Sequence, residues 1–438
     1  MIVPLRTLRV SLLPFLLVLM AATGSLAARE GPRRGLTIHF DFFNTREGAE
    51  RLLAKSAELR ATYLNVVPPP HVWENPRDLA ILRRIFSFAG AHGQKVVITR
   101  IDASATAPTT LQRFNYLYTR ILNRPGILPD GTPTPSFFLA TVANPAYEKW
   151  LEEETRYYAR EFAHEPALAA FSCGLLNEPF VSQRGSLLCF SERTNRYEIA
   201  QYTPFMRDYW HRYLQQAFGG DLPALNTLFV SSYPSFSAVP MPKSETDPAF
   251  GRSDRAYRTF CRAVNTWVVR QIDRIGKTWR DGGGRKVPLV LQLSGYVAEK
   301  FRLGSPSLAE LDLDSWIRRA DLLGLSLYTN ADYPDLGHAS VEAMVKWATT
   351  VAETGKPVLV LECGTENDGA RADEREFAFL ATQAGLVSPR CVIYEFTQEA
   401  YNETQAHRDG KLFDQAGKFR PAAARAVERL WNRAGAKR

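Results

Sequence analysis

Short apolar, β-prone runs alternate with stretches of helical periodicity along nearly the whole of this chain. Gly35–Asp41, Ala61–Val67, Lys95–Ile101, Leu168–Leu176, Pro288–Leu293, Leu322–Tyr328, Val358–Gly364 and Cys391–Phe396 read as strands. Helical spacing marks Glu47–Leu59, Arg77–His92, Tyr147–Phe162, Ser307–Arg319, Ser340–Glu353, Glu374–Thr382 and Ala416–Trp431. Parallel strands need a crossover, and a helix between strands at short spacing supplies it. The near-continuous apolar character of the runs suits strands buried on both faces. About eight such units are what a closed parallel barrel requires, so the expected fold is α/β, a (β/α)8 TIM barrel.

The rhythm breaks over residues 180–286, far longer than an ordinary βα connection. We read this as an insertion between strands four and five of one barrel domain spanning 28–438. It holds Phe205–Phe218, aromatic at helical spacing, a Gly219-Gly220-Asp221 turn, Leu222–Asn226 and a long amphipathic helix at Tyr257–Trp279. Another long loop, rich in Pro, Thr and Gly, runs from the third strand to Pro145. Loops of that length in compact domains often line sites.

Residues 1–27 stand apart. Arg6 and Arg9 precede an apolar run from Val10 to Ala22, and Ser25-Leu26-Ala27 supplies small residues for cleavage. That is the pattern of a secretory signal peptide, and the run is short for a bilayer span. A secreted or periplasmic protein with no stable membrane insertion after cleavage is expected, retention as an anchor being the alternative. The net charge of +8 is spread widely, with one cluster in the tail around Arg420, Arg425, Arg429 and Arg433. No basic face with interleaved aromatics accompanies it, so no nucleic-acid partner is expected. The seven histidines and five cysteines show no metal-ligand spacing, and no Gly-x-Gly-x-x-Gly loop follows the early strands. Neither metal nor cofactor is implied. Cys173, Cys363 and Cys391 read as buried thiols, while Cys189 and Cys261 in the insertion are candidates for a disulfide in an oxidising compartment.

The chemistry gathers at two strand ends. Strand four runs into Leu176-Asn177-Glu178-Pro179, where the proline stops the ladder, and strand seven carries Glu362 near its end. Barrel enzymes build their sites on that C-terminal edge. Two carboxylates there suit glycoside cleavage, because one protonates the leaving oxygen while the other meets the developing oxocarbenium ion. Beside apolar strand residues, Glu178 would be poorly solvated and its pKa raised, as a general acid requires. The plainer readings are a strand-end turn for Asn177-Glu178-Pro179 and a buried ion pair for Glu362.

Glu165-Pro166, the apolar strand and Leu176-Asn177-Glu178-Pro179 resemble the fourth strand of clan A glycoside hydrolases, above all the cellulases and mannanases of glycoside hydrolase family 5. Gly355-Lys356-Pro357-Val358-Leu359-Val360-Leu361-Glu362-Cys363-Gly364 resembles that family's nucleophile strand, with Cys363 in place of the usual aromatic. The resemblance implies a retaining hydrolase of β-mannan, β-glucan or related oligosaccharides. Glu362 would be the nucleophile, Glu178 the acid/base, Asn177 the partner of the sugar 2-hydroxyl and Tyr328 the residue that orients the nucleophile. Asp41, Trp73, Arg100, Gln292, Tyr296 and Tyr394, at strand ends or in following loops, are further candidates for sugar contacts. For Trp73 core packing is an equal reading, and Glu395 is read either as a sugar contact or as one half of an ion pair inside the barrel.

Three departures stand against the family pattern. Ser326 replaces a histidine, Asn65-Val66-Val67-Pro68 lacks the strand-two arginine, and strand eight offers Tyr394 and Phe396 in place of a tryptophan. They leave open a carbohydrate-binding barrel that has lost catalysis. A softer likeness covers the insertion, where Tyr209–Asn226 and the helix after it resemble family 42 β-galactosidases.

Overall fold

The computed structural model describes residues 33–39, 46–68, 72–99, 121, 124, 126–134, 141–172, 187–191, 196–294, 306–329, 337–365, 374–387 and 391–396. The leader (1–27) and the closing helix (416–431) expected from the sequence lie outside them.

Four strands come first: β1 Arg33–His39, β2 Tyr63–Val67, β3 Lys95–Thr99 and β4 Leu168–Ser172. A two-stranded hairpin, β5 Leu188–Ser191 and β6 Arg196–Ile199, intervenes. Four more strands come after it: β7 Leu289–Ser294, β8 Leu322–Thr329, β9 Val358–Thr365 and β10 Cys391–Phe396. The first four and last four close into one barrel in chain order, with β10 returning to β1. Each barrel pair is parallel.

The helices are α1 Arg46–Glu58, α2 Pro76–Ala91, α3 Pro145–Phe162, α4 Pro204–Ala217, α5 Leu222–Phe229, α6 Asp254–Asp281, α7 Leu313–Arg319, α8 His338–Glu353 and α9 Glu374–Val387. Local chemistry starts several of them. Asn75 accepts from the amides of Arg77 and Asp78 with Pro76 in the first turn, and Asn144 accepts from Ala146 ahead of Pro145. A side-chain acceptor followed by proline satisfies amides that a helix start leaves open.

The main core lies between the barrel's outer surface and the helices. Helix α6 lays Phe260, Val264, Trp267, Val268, Ile272, Ile275 and Trp279 along one buried stripe. Glu148 on α3 receives the Trp267 indole at 2.6 Å, Arg270 at 3.0 Å and Arg274 at 3.4 Å, so the insertion's long helix is tied to the helix that precedes β4.

Some sequence expectations need correction. Ser307–Arg319 is not one helix but a 3-10 segment, Pro306–Glu310, followed by α7. The break falls at Asp312, whose carboxylate accepts from the Ser315 amide and starts a fresh helix. Helix α9 runs on to Val387, beyond the Thr382 expected. The hairpin β5–β6 is an addition to the expected elements. Cys189 and Cys261 are both buried thiols, not a disulfide. Among the described residues no helix is long and apolar enough to cross a membrane.

Candidate active site

Two layers of side chains fill the described part of the barrel. The lower one is apolar: Val97, Ala170, Val290 and Leu361, flanked by Tyr63, Leu322 and Leu359. Gly324 makes it possible, because a Cβ there would stand 2.6 Å from Leu361 Cδ1 and 2.8 Å from Val290 Cγ1. Two residues further along the strands, toward their C-terminal ends, the layer turns polar: Asn65, Thr99, Ser172, Gln292 and Ser326 are all completely buried. Buried polar groups persist when they are bonded, and these are. Thr99 Oγ1 donates to Asn65 Oδ1 at 2.5 Å, and Asn65 Nδ2 donates to the Leu361 carbonyl at 3.1 Å. Gln292 Nε2 donates to Ser326 Oγ at 2.9 Å, with Ser172 Oγ 3.4 Å from Gln292 Oε1.

Level with this ring, β9 breaks step with β8. Leu325 is opposite Val360, but Ser326 is opposite Glu362, so β9 carries one extra residue, Leu361. This is a β-bulge, a device that re-aims the side chains after it. In an unbroken ladder Glu362 would stand opposite Leu327, which belongs to the outer core. The bulge instead gives Glu362 the register of Ser326, whose side chain is part of the interior ring. Cys363 then falls opposite Leu327 and packs with it in the outer core.

The other residues singled out in the sequence fall into distinct places. Tyr328 is on β8, two positions past Ser326 and opposite Gly364. Tyr394 is opposite Leu36, which in turn faces Leu64, and both leucines lie in the outer core; Glu395 is opposite Thr37, which faces Asn65. By register Glu395 falls with Thr37 and Asn65, and Tyr394 with Leu36 and Leu64. Gln292 has no exposed surface, and its amide ties β7 to β8 and β4. Trp73 comes after β2 in a single turn, Val72–Glu74, and its ring packs on Tyr157 of α3 with centroids 5.2 Å apart, the core-packing alternative. Asp41, Arg100, Asn177, Glu178 and Tyr296 lie outside the described residues.

Sequence reasoning passes over Asn65 except as the place where an arginine is missing, and gives Thr99 no role. Their signal is available: each is a polar residue at an inward, alternate position of an otherwise apolar strand.

The loop after β3 and the insertion after β4 both leave the C-terminal side of the barrel, and they pack together. The Ile127 amide donates to the Ala200 carbonyl at 2.8 Å, and Gln201 Oε1 accepts from the Val142 amide at 2.8 Å. Between them is a cavity of about 570 Å³, lined in part by Asp130, Arg196, Glu198, Lys243, Glu245 and Tyr257. Burial, with a smaller effect from the neighbouring Cys261, pushes the Tyr257 phenol well above its ordinary range, so it stays a neutral hydroxyl.

In sequence the chain matches no family profile and no curated protein. In structure it is similar to the β-galactosidase of Rahnella sp. R3, with a TM-score of 0.65 at 14% identity, over 93% of this chain and 57% of that one. The β-galactosidase of Bacillus circulans sp. alkalophilus gives 0.63 at 12% identity, over 92% and 55%. The catalytic domain of the β-amylase of Paenibacillus polymyxa gives 0.59 at 11% identity, over 92% and 99%. The chain thus spans little more than half the length of the β-galactosidases it matches. What these likenesses establish is the fold, a TIM barrel of the kind on which these glycosidases are built.

Proposed function

We propose that the chain is a retaining β-glycosidase in which Glu362 is the nucleophile and Glu178 the acid/base. The observation that carries this is the bulge at Leu361, which brings Glu362 into register with the inward set near the C-terminal end of β9. A glutamate shifted out of the outer core's register and into that of Ser326 is poorly explained by packing alone. The β-galactosidases among the structural neighbours support adding β-galactosides to the β-mannans and β-glucans that the sequence motifs suggest. The leader-like segment before residue 28 supports action outside the cytoplasm.

In this reading Glu178 gives its proton to the leaving oxygen as the Glu362 carboxylate attacks C1. A covalent glycosyl-enzyme forms with inversion, and the aglycone departs as an alcohol. Glu178, now ionised, takes a proton from water, which attacks C1 in turn and restores both the configuration and the free Glu362 carboxylate. Asn177 holds the 2-hydroxyl through both steps. The cavity between the β3 loop and the insertion offers carboxylates and a phenol for the hydroxyls of further sugar units.

The test is turnover of 4-nitrophenyl β-glycosides, β-mannan and β-glucan, with the first-formed anomer monitored by proton NMR. A β-anomer first is expected. An α-anomer first would refute retention, and calorimetric sugar binding without turnover of any substrate would favour the binding-barrel reading.

A further inference from the structure

Asn65 and Thr99 have no part in the chemistry proposed above, yet both are completely buried and bonded to each other. An amide in the middle of an apolar strand costs stability unless its bonds are good. What Asn65 reaches is not on a neighbouring strand. β2 pairs with β1 and β3, whereas the carbonyl that Asn65 Nδ2 meets at 3.1 Å belongs to Leu361 on β9, across the barrel. Leu361 is the bulged residue, and its peptide leads directly into Glu362.

The arrangement has direction. An asparagine amide can present either its oxygen or its nitrogen, and the network decides which. The Leu361 carbonyl can only accept, so it takes Nδ2, and the Thr99 hydroxyl holds the amide in that orientation by donating to Oδ1. On the other side of the same residue, the Leu361 side chain packs against Gly324 so closely that a Cβ there would stand 2.6 Å from its Cδ1. The bulge is thus held by its carbonyl and by its side chain.

We infer that Asn65, oriented by Thr99, is a positioning residue for Glu362: it clamps the bulged peptide and so fixes where on β9 the carboxylate is presented. The role of that carboxylate rests on the reading of Glu362 as nucleophile. Retaining chemistry needs the two carboxyl groups about 5 Å apart. A misplacement of about 1 Å can cost roughly a hundredfold in rate. Substrate binding, made by other groups, need not change.

The experiment uses the full chain, with Thr99→Val, Thr99→Ser and Asn65→Asp. On 4-nitrophenyl β-D-galactopyranoside, Thr99→Val and Asn65→Asp should lower kcat about 10- to 100-fold with KM within about threefold. Thr99→Ser, which keeps the hydroxyl, should stay near wild type. In a Glu362→Gly background rescued by azide there is no carboxylate left to position, so the same changes should have no further effect. Amide exchange read by mass spectrometry should quicken in the 358–365 peptide and not in the peptides of β3 and β4, and this needs no substrate. Wild-type kcat in both variants, unchanged exchange over 358–365, or an equal fall in the azide-rescued background would overturn the clamp. Full activity in Glu362→Gly itself would instead sink the nucleophile reading, leaving the exchange result to judge the clamp alone.

Discussion

Phe171 of β4 and Trp279 of α6 stack almost face to face, with ring centroids 4.3 Å apart and planes 7° from parallel. This contact joins the strand that leads toward Asn177 and Glu178 to the long helix of the insertion. Trp279 is further fixed by its indole, which donates to the Val287 carbonyl at 2.9 Å, just ahead of β7. Trp279→Ala removes the stack, the bond and a wholly buried ring at once. The expected loss is about 3–5 kcal/mol in urea unfolding. A loss under about 1 kcal/mol would show that the insertion and the barrel do not share this core.

Close approach to the same ring makes a second position sensitive. A Cβ on Gly284 would lie 2.3 Å from the Trp279 ring, so the ring or the turn must move to admit it. Gly284→Ala should lower the unfolding free energy by roughly 1–3 kcal/mol. The same change at Gly355, where a Cβ meets nothing but the backbone has φ +88°, tests conformation instead of crowding. Both should destabilise, but in the Trp279→Ala background, which opens the space beside Gly284, the Gly284→Ala effect alone should shrink.

Acid sensitivity arises at Glu152. Burial pushes its carboxyl up, but the bond and charge of Arg274, with those of Arg156, outweigh burial and hold it below its ordinary value of 4.5. A carboxyl depressed in the folded state stabilises fully above its unfolded value and loses that contribution as pH falls through the folded one. Urea midpoints measured from about pH 6 down to about pH 3 should therefore fall more steeply in wild type than in Glu152→Gln. Parallel curves would show that the pair contributes nothing. The effect should be small, since these side chains are 24% and 39% exposed.

The insertion's cysteines give a chemical test. Cys189, Cys261 and Cys363 are buried, and burial pushes the Cys261 thiol far above its ordinary range. None of the three should react with a disulfide reagent in the native protein, and all should react in guanidinium without prior reduction. Thiols that appear only after reduction would restore the Cys189–Cys261 disulfide for which the sequence makes them candidates.

The barrel is legible in the sequence because its signal is repeated: eight apolar runs, each bounded by turn or helix chemistry, leave few other ways to bury their surface. Cys391–Phe396 and the start of β9 at Val358 match their elements to the residue. Ser307–Arg319 misleads because its apolar spacing is continuous, whereas the break is made by one carboxylate, Asp312, capping from within the run. The hairpin escapes for a different reason. Arg196-Tyr197-Glu198-Ile199 alternates correctly for a strand, but four residues carry too little signal without their partner. At the site, strand ends point to Glu362, yet a two-residue period places Leu359 and Leu361 inward and Glu362 outward. Only the extra residue in the ladder reverses that, and a bulge depends on register with β8, which no local pattern in β9 states. The clamp at Asn65 is further still from sequence, because its partner is 296 residues away.

Whether Glu362 attacks the sugar is decided by Glu362→Gly, with and without azide, on 2,4-dinitrophenyl β-D-galactopyranoside. That leaving group needs little protonation, so the measurement isolates the nucleophile from the acid. Turnover should fall by at least about a thousandfold while the fold is kept. Added azide should restore it, with an α-glycosyl azide as the product. Hydrolysis by Glu362→Gly at the wild-type rate, with no azide adduct, would rule out Glu362 as the nucleophile.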